Sequence, residues 1–503
     1  TYNVKDNAVV QVDGRDGPAN ESRLCVKGRY GFDYGRHPNR LTKPLIRRDD
    51  APPKSGDLVL DPANPLEAFR EASWEEALDL AGGELKRIRD QHGPKSLVAL
   101  GCAKGSNEEA YLVQKLVRTG FGSNNIDHCT RLCHAGSVVA LGHCIGSGAV
   151  TLPVRDVMHA DCVFLIGSNP TINHPVAATW IKNAIDQNGL KLVIADPRLQ
   201  QLSRRAFMHL RFQPDSDVAL LNGMIHTIIG EGLTNEAFIR DHTEGFEELK
   251  RHIQAYSPEA MAPICGIPAE ELKQAARTYA TSKNAMIIWG MGCSQSQHGS
   301  DNVRCLIALA MLTGQVGRRG AGLHPICGQN NVQGASDVGL MPNNYPDYQK
   351  VDNPEVQTRF EKLWGCKLSA EKGLTSMEMM DAANEGRAKG MYIMGENPAM
   401  SDANAAHARA GLANLEHLVV QDIFLTETAY NADVILPATV YLEKTGTFTN
   451  TDRWVQLGRQ ALQPPGEVRQ DLWIVQELAR RMGLDWNYGG PEEVFNELRK
   501  ASD

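Results

Sequence analysis

Four short apolar runs, each closed by a glycine, constrain this chain more than any other feature. Leu97-Val98-Ala99-Leu100 stops at Gly101, Val163-Phe164-Leu165-Ile166 at Gly167, Met286-Ile287-Ile288-Trp289 at Gly290 and Met391-Tyr392-Ile393-Met394 at Gly395. Apolar residues that run on without alternating suit strands buried on both faces, as in parallel sheets. A polar loop and a helix-like segment follow each run. The pattern therefore predicts βαβ units and an α/β fold with doubly wound, mostly parallel sheets. At 503 residues the chain is too long for one core, and roughly 150 residues per domain gives three or four domains.

The clearest unit runs from Asp161 to Arg198. A strand ends at Gly167, the loop Ser168-Asn169-Pro170 follows, a helix spans about His174 to Gln187, and Gly189 caps it. The next strand, Leu192 to Ala195, ends in Asp196-Pro197-Arg198. In doubly wound folds ligands bind at the carboxyl ends of the strands, and a short loop before a helix can hold phosphate through backbone N–H groups. An acid after the second strand can take a ribose hydroxyl or a base edge. The loop is not GxGxxG, which argues against an ordinary NAD site; a plain layer without ligand is the other reading. Elsewhere, Val218 to Thr281 reads as helix-rich, Gly314 to Gly339 as a long irregular segment, and Glu467 to Asp503 as charged helices and loops.

The formal charge of −8 argues against a general nucleic-acid surface. No apolar run reaches the roughly 18 residues of a membrane span, and no basic-then-apolar leader opens at Thr1. The 11 cysteines are odd in number and form no CxxC pair, which is not a disulfide framework. Free thiols in a reducing compartment, and hence a cytoplasmic location, are the expectation.

Three motifs could carry chemistry. Cys129-Thr130-Arg131-Leu132-Cys133-His134 places a thiol beside His and near Arg, where a thiolate would be stabilised and where a soft ligand for a transition metal would sit. By spacing alone, two core cysteines at i and i+4 on a helix face are the favoured reading; a cysteine nucleophile is a third option with no local signature. Gly328-Gln329-Asn330-Asn331-Val332-Gln333-Gly334 is dense in amides, whose paired donors and acceptors suit a pterin or guanine edge; a hydrogen-bonded surface loop is the alternative. Cys25-Val26-Lys27-Gly28 lies in a polar segment and by itself reads as a solvated strand or loop.

Taken together and in order, these motifs resemble the molybdenum/tungsten bis-pterin oxidoreductases, and within them the formate dehydrogenase catalytic subunit. The resemblance covers nearly the whole chain. It includes Arg131-Leu132-Cys133-His134, Asp196-Pro197-Arg198, Thr243-Glu244-Gly245-Phe246-Glu247, Trp289-Gly290-Met291-Gly292 and Gln329 to Gly334. It continues through Met394-Gly395-Glu396-Asn397-Pro398, Val420-Gln421-Asp422-Ile423-Phe424 and Ala432-Asp433-Val434-Ile435-Leu436-Pro437. The stretch from Cys25 through Arg48 looks most like the soluble NAD-linked members.

The resemblance implies a multidomain molybdopterin oxidoreductase core. Its expected parts are an iron–sulfur-proximal domain (1–50 with 443–470), a pterin-guanine domain (51–128 with 330–442 and 471–503) and a second pterin-guanine domain carrying the metal ligand (129–329). Cys133 matches the Cys or selenocysteine that binds molybdenum or tungsten alongside two pterin dithiolenes, and His134 matches the active-site His that handles protons. Contacts to bis-molybdopterin guanine dinucleotide carry over to Gly167, Ser168, Asn169, Asp196, Arg198, Asp217, Met291, Gly292, Gln295, Gln329, Gly395, Glu396 and Asn397, with Gln421 and Asp422 as neighbours. Lys27 matches a lysine between an iron–sulfur cluster and one pterin. Cys25 matches one of four ligands to a [4Fe–4S] cluster, the other three lying upstream in the family; the chain also stops short of the family's C-terminal domain, so a fragment is expected. The implied reaction takes formate to CO2, two electrons and a proton, the electrons leaving through iron–sulfur and flavin subunits that use NAD.

One position departs from the family pattern. Where the resemblance implies an Arg clamping the formate carboxylate, this chain has Cys327, in Pro325-Ile326-Cys327-Gly328. That leaves two other readings: a related nitrate-type oxyanion reductase, and a degenerate, non-catalytic electron-transfer scaffold. Cys133, His134 and Lys27 speak against the scaffold.

Overall fold

The computed structural model describes residues 1–502; Asp503, the last residue of the expected segment 471–503, lies outside the described residues. Two sheets organise the chain. The first has five parallel strands in the order Gly322–Pro325, Ala285–Trp289, Cys162–Ile166, Lys191–Ala195, Met208–Leu210. The second has seven, in the order Phe69–Glu71, Leu45–Arg47, Val434–Pro437, His417–Asp422, Gly390–Met394, Leu97–Gly101, Ile126–His128. Its last five strands are parallel; Leu45–Arg47 and Phe69–Glu71 join antiparallel at one edge. Two small hairpins, Tyr2–Lys5 with Ala8–Val12 and Gly446–Thr449 with Val455–Gly458, complete the strands.

The apolar runs explain the layering. Successive side chains of a strand point to opposite faces, and here each face meets its own core. Cys162, Phe164 and Ile166 pack with Leu220, Met224, Leu306 and Ala310 on one side, while Val163 and Leu165 pack with Trp180, Ile181 and Ala184 on the other. In the seven-stranded sheet Tyr392 and Met394 face the helices Trp74–His92, Asn107–Leu116 and Asp471–Arg481, and Met391 and Ile393 face Ser376–Asn384 and Ala405–Asn414. A residue facing the wrong way would put a polar group into one of these cores, so alternation was never an option for these strands.

The Asp161–Arg198 unit forms as its sequence indicates: strand Cys162–Ile166, helix Pro175–Asn188 closed by Gly189 at φ 68°, strand Lys191–Ala195. Two expectations change. The Gly314–Gly339 stretch is not irregular throughout, since it supplies the edge strand Gly322–Pro325 and the helix Val332–Asp337. Of the segment expected as strand or loop, Cys25 stays in a loop, while Val26, Lys27 and Gly28 open the short helix Val26–Tyr30. Leu45–Arg47, which falls in the expected 1–50 part, hydrogen-bonds to Val434–Pro437 in the seven-stranded sheet. Among the described residues no helix is long and apolar enough to cross a membrane.

Candidate functional site

The carboxyl ends of the two sheets converge on a cavity of about 350 Å³. Parallel strands bring all their C-terminal loops to one edge, which is why ligands collect there. Leu100 and Cys102 come from the end of Leu97–Gly101, His128 and Cys129 from the end of Ile126–His128, and Gly395, Glu396 and Asn397 from the end of Gly390–Met394; Met291 and Gln295 follow strand Ala285–Trp289, and Gln329 follows Gly322–Pro325. Cys133, the last residue of the one-turn helix Thr130–Cys133, lines the same space.

Cys133 is 6% exposed, and burial alone pushes its thiol up to about 11. The expected stabilisation by neighbouring cations does not materialise. Arg131 Nε donates to Asp127 Oδ2 at 2.8 Å, and burial pushes His134 down to about 4, so the imidazole is neutral. Only a bound metal would hold this sulfur as thiolate near neutral pH. His134 is itself fixed: Nδ1 meets Ser137 Oγ at 3.0 Å and Ser294 Oγ at 3.2 Å, and Nε2 meets the Ile326 carbonyl at 3.3 Å.

Two facing turns show why glycine ends these strands. A Cβ on Gly290 or Gly292 would lie 2.8 Å from the Gly167 carbonyl oxygen, and Gly167 itself has φ +58°, a left-handed conformation that favours glycine. Gly292 N–H donates to Gly167 O at 3.0 Å, so the two loops touch backbone to backbone. Gly395, at φ +65°, holds the corresponding turn over Cys102, and its N–H donates to Gln421 O at 2.9 Å.

The other expected residues divide into those that line the cavity and those that do not. Gln329 lines it, and its Oε1 is buried with no hydrogen-bond partner. Gln295 Nε2 donates to Leu132 O at 2.7 Å, and Met291 is largely exposed. Burial pushes Glu396 up to about 7 and Asp422 up to about 6. Asn397 takes Thr428 Oγ1–H on Oδ1 at 2.8 Å and donates to Glu427 Oε2 at 2.7 Å. Around the first βα loop, Gln200 Nε2 donates to the buried Ser168's carbonyl at 3.0 Å, Thr171 Oγ1 donates to Asn169 Oδ1 at 2.6 Å, and Asp196 Oδ1 accepts from Arg198 N–H at 2.8 Å while the Arg198 side chain stays exposed. Asp217 is buried, one carboxylate oxygen lacks a partner, and burial pushes it up to about 6.

Gln421 stands apart. Its amide accepts from Tyr392 Oη at 2.6 Å and donates to Asp471 Oδ1 at 2.9 Å, and it is not among the residues lining this cavity. Cys327 is half-buried near Cys133; burial, reinforced by that neighbour, pushes its thiol up to about 12, and His174 Nε2 lies 2.6 Å from its carbonyl oxygen. Lys27 Nζ donates to Asn173 O at 3.0 Å, tying the N-terminal segment to the first βα loop. Cys129, singled out with Cys133 in the sequence, lines the cavity as well. Cys102, Lys104, His128, Ser376 and Asp402 also line it and escaped the sequence reading. The first three follow or end buried strands and could have been found by that rule; Ser376 opens a distant helix and carries no local signal.

Residues 40–481 match the family model described as "Molybdopterin oxidoreductase", and the chain belongs to that family. Several of its relatives are named formate dehydrogenases. It is 42% identical over 502 residues to the F420-dependent formate dehydrogenase subunit alpha of Methanocaldococcus jannaschii, covering 99% of this chain and 71% of that one. It is 40% identical over 502 residues to formate dehydrogenase H of Escherichia coli, covering 99% and 68%. Among solved structures, acetylene hydratase from Pelobacter acetylenicus superposes with a TM-score of 0.78 at 24% identity, covering 97% of this chain and 68% of that one, which shows the shared fold.

The residues present fit the family's molybdenum-pterin group. An unpartnered buried amide oxygen on Gln329, an unpartnered buried carboxylate oxygen on Asp217 and turns stripped of Cβ atoms are what a large polar ligand would use. Among the described residues no group of three or more His, Cys, Asp or Glu side chains is arranged to hold a metal. A metal at Cys133 would therefore find no set of three such protein ligands among the described residues. The same observation leaves Cys25 without companions, so a four-thiolate cluster does not fit the described residues.

Proposed function

We propose that this chain is the metal-pterin body of a formate dehydrogenase alpha subunit, oxidising formate to CO2 at a site made by Cys133, His134 and Gln329. The observation that carries this reading is the convergence of Cys133 and the unpartnered Gln329 amide on one cavity between the two sheets, in a chain that matches formate dehydrogenases along 99% of its length. When bound, the metal-pterin group supplies the two-electron acceptor for formate.

The chain's own residues do the rest. Cys133 offers the single protein thiolate. His134 can hold a proton at Nδ1, the nitrogen left bare when Nε2–H donates to Ile326. The near-complete burial of both side chains keeps water from the reacting centre, which strengthens local electrostatics. Glu396 and Asp422, held partly protonated, can donate as well as accept, which suits the mixed edges of pterin and guanine rings. We read the pterin as the guanine dinucleotide form, with Asp196 and Arg198 at the nucleotide end. The electrons leave to a partner subunit carrying NAD chemistry through flavin, or F420 as the archaeal relative's name gives, in a cytoplasmic complex.

Metal loading followed by dye assays tests the reading. The loaded protein should carry near-stoichiometric molybdenum or tungsten and reduce viologen with formate, and Cys133→Ala should lose both. Nitrate-dependent dye oxidation without formate activity would assign the chain to the oxyanion reductases, and absence of metal would make it a scaffold.

A further inference from the structure

Beside the cavity, three buried side chains and the Ile326 backbone form a hydrogen-bond circuit that the reaction above does not itself require. Trp289 Nε1–H donates to Ser137 Oγ at 2.8 Å, Ser137 Oγ lies 3.0 Å from His134 Nδ1, and His134 Nε2 lies 3.3 Å from the Ile326 carbonyl. The Ile326 N–H then returns to the Trp289 carbonyl at 2.8 Å, closing the loop. Ser294 Oγ donates to the Cys133 carbonyl at 2.9 Å, so its only hydrogen is already committed when it approaches His134 Nδ1. Trp289, Ser137 and His134 are exposed by 0, 1 and 2%.

The direction of this circuit is forced by groups that can act in only one way. An indole N–H can only donate, and a backbone carbonyl can only accept. Ile326 O therefore demands the hydrogen on His134 Nε2, which leaves Nδ1 bare in the neutral ring. Trp289 fills an acceptor position on Ser137, whose own hydroxyl hydrogen then has one buried acceptor within reach, Nδ1. Any other arrangement strands a buried donor or acceptor, at a cost of about 1–3 kcal/mol.

We propose that Ser137, oriented by Trp289, is a positioning residue that fixes His134 as its Nε2–H tautomer beside the metal ligand. This deepens the formate dehydrogenase reading and rests on it only for the consequence in turnover. Ser137 stands one helical turn after His134 in the helix Ala135–Ile145, and Trp289 is the last residue of its strand. Two separate elements thus lock one imidazole, as second-layer groups commonly fix the ring beside a metal.

The test uses the full chain in its metal-free form, with histidines labelled with 15N and His134 assigned by its disappearance in His134→Gln. In the wild type, Nδ1 should report as non-protonated and Nε2 as protonated. Ser137→Ala should shift His134 towards the other tautomer, Trp289→Phe should shift it part of the way, and Ser137→Thr should restore the wild-type pattern. In metal-loaded protein Ser137→Ala should lower kcat about tenfold with KM for formate unchanged, the size expected when a proton-handling group is misoriented. A wild-type ring protonated on Nδ1, or variants indistinguishable from wild type in tautomer, would overturn the proposal. If the tautomer pattern holds but formate reduces no dye, the positioning role stands and the formate reading fails.

Discussion

Replacing Lys444 with Met should cost the fold several kcal/mol in a way that depends on pH. Lys444 is buried, and its Nζ donates to Glu109 Oε2 at 2.9 Å and Asp471 Oδ2 at 2.8 Å. Burial works against its charge, but the two carboxylates hold it protonated far above the ordinary lysine range. One lysine cannot neutralise two acids, and burial together with Asp471 pushes Glu109 up. Asp471 also takes hydrogen bonds from Thr439 and from Gln421, whose carbonyl supports the Gly395 turn at the cavity. Met keeps the length of the side chain and removes the cation. Stranding a buried charge by deleting its partner costs about 3–5 kcal/mol.

The sign with pH follows from the same geometry. Without Lys444 no cation offsets the burial and the nearby Asp471 that push Glu109 up, so its folded-state pKa rises further above the unfolded one. Stability is then retained at low pH and lost as pH climbs through the raised value. Thermal unfolding followed by circular dichroism at pH 5 and pH 8 should show a small deficit for the variant at the lower pH and a large one at the higher. Metal and pterin retention should fall in parallel, because the Gly395 turn loses its support. A deficit equal at the two pH values, or no deficit, would refute the argument.

Cys327→Arg should raise kcat/KM for formate about ten- to hundredfold in metal-loaded protein, the range expected for a charge-assisted, paired contact to the carboxylate; steady-state dye reduction reads it, and an unchanged or lower value would count against Cys327 as a substrate-facing position. Gly290→Ala should destabilise by about 1–3 kcal/mol and lower pterin content, since its Cβ would lie 2.8 Å from Gly167 O, whereas Gly142→Ala, with nothing within 4 Å in mid-helix, should be neutral or stabilising in the same melting experiment. Asp217→Asn should stabilise the metal-free chain at about pH 7.5 by up to about 3 kcal/mol, because burial pushes the carboxyl up to about 6 and the charged form is penalised above that value. The gain should shrink by roughly half near pH 5 and vanish below the unfolded-state value; a pH-independent gain would point to another cause.

The sequence by itself determined the strands and what lies at their ends. Runs such as Val163–Ile166 and Met391–Met394 can be nothing but strands covered on both faces, and the glycines after them mark turns with no room for a side chain. The order of motifs was enough to suggest the family, and that resemblance put Gly167, Gly292, Gly395, Glu396 and Gln329 among the expected pterin contacts. Three things belonged to tertiary structure alone. Leu45–Arg47 is a three-residue segment whose place in a sheet is set by its partner Val434–Pro437 and by no pattern of its own. The side-chain amide of Gln421, expected as a neighbour of the pterin contacts, bonds to Tyr392 and Asp471, respectively 29 and 50 residues away in the chain. The thiol of Cys133 looked activated by its sequence neighbours, but folding sends Arg131 to Asp127 and His134 into a circuit with Ser137 and Ile326, and burial pushes the thiol up to about 11. Periodicity reports the local surface a residue must present, while pKa and hydrogen-bond partners depend on which distant groups the fold brings within about 3 Å.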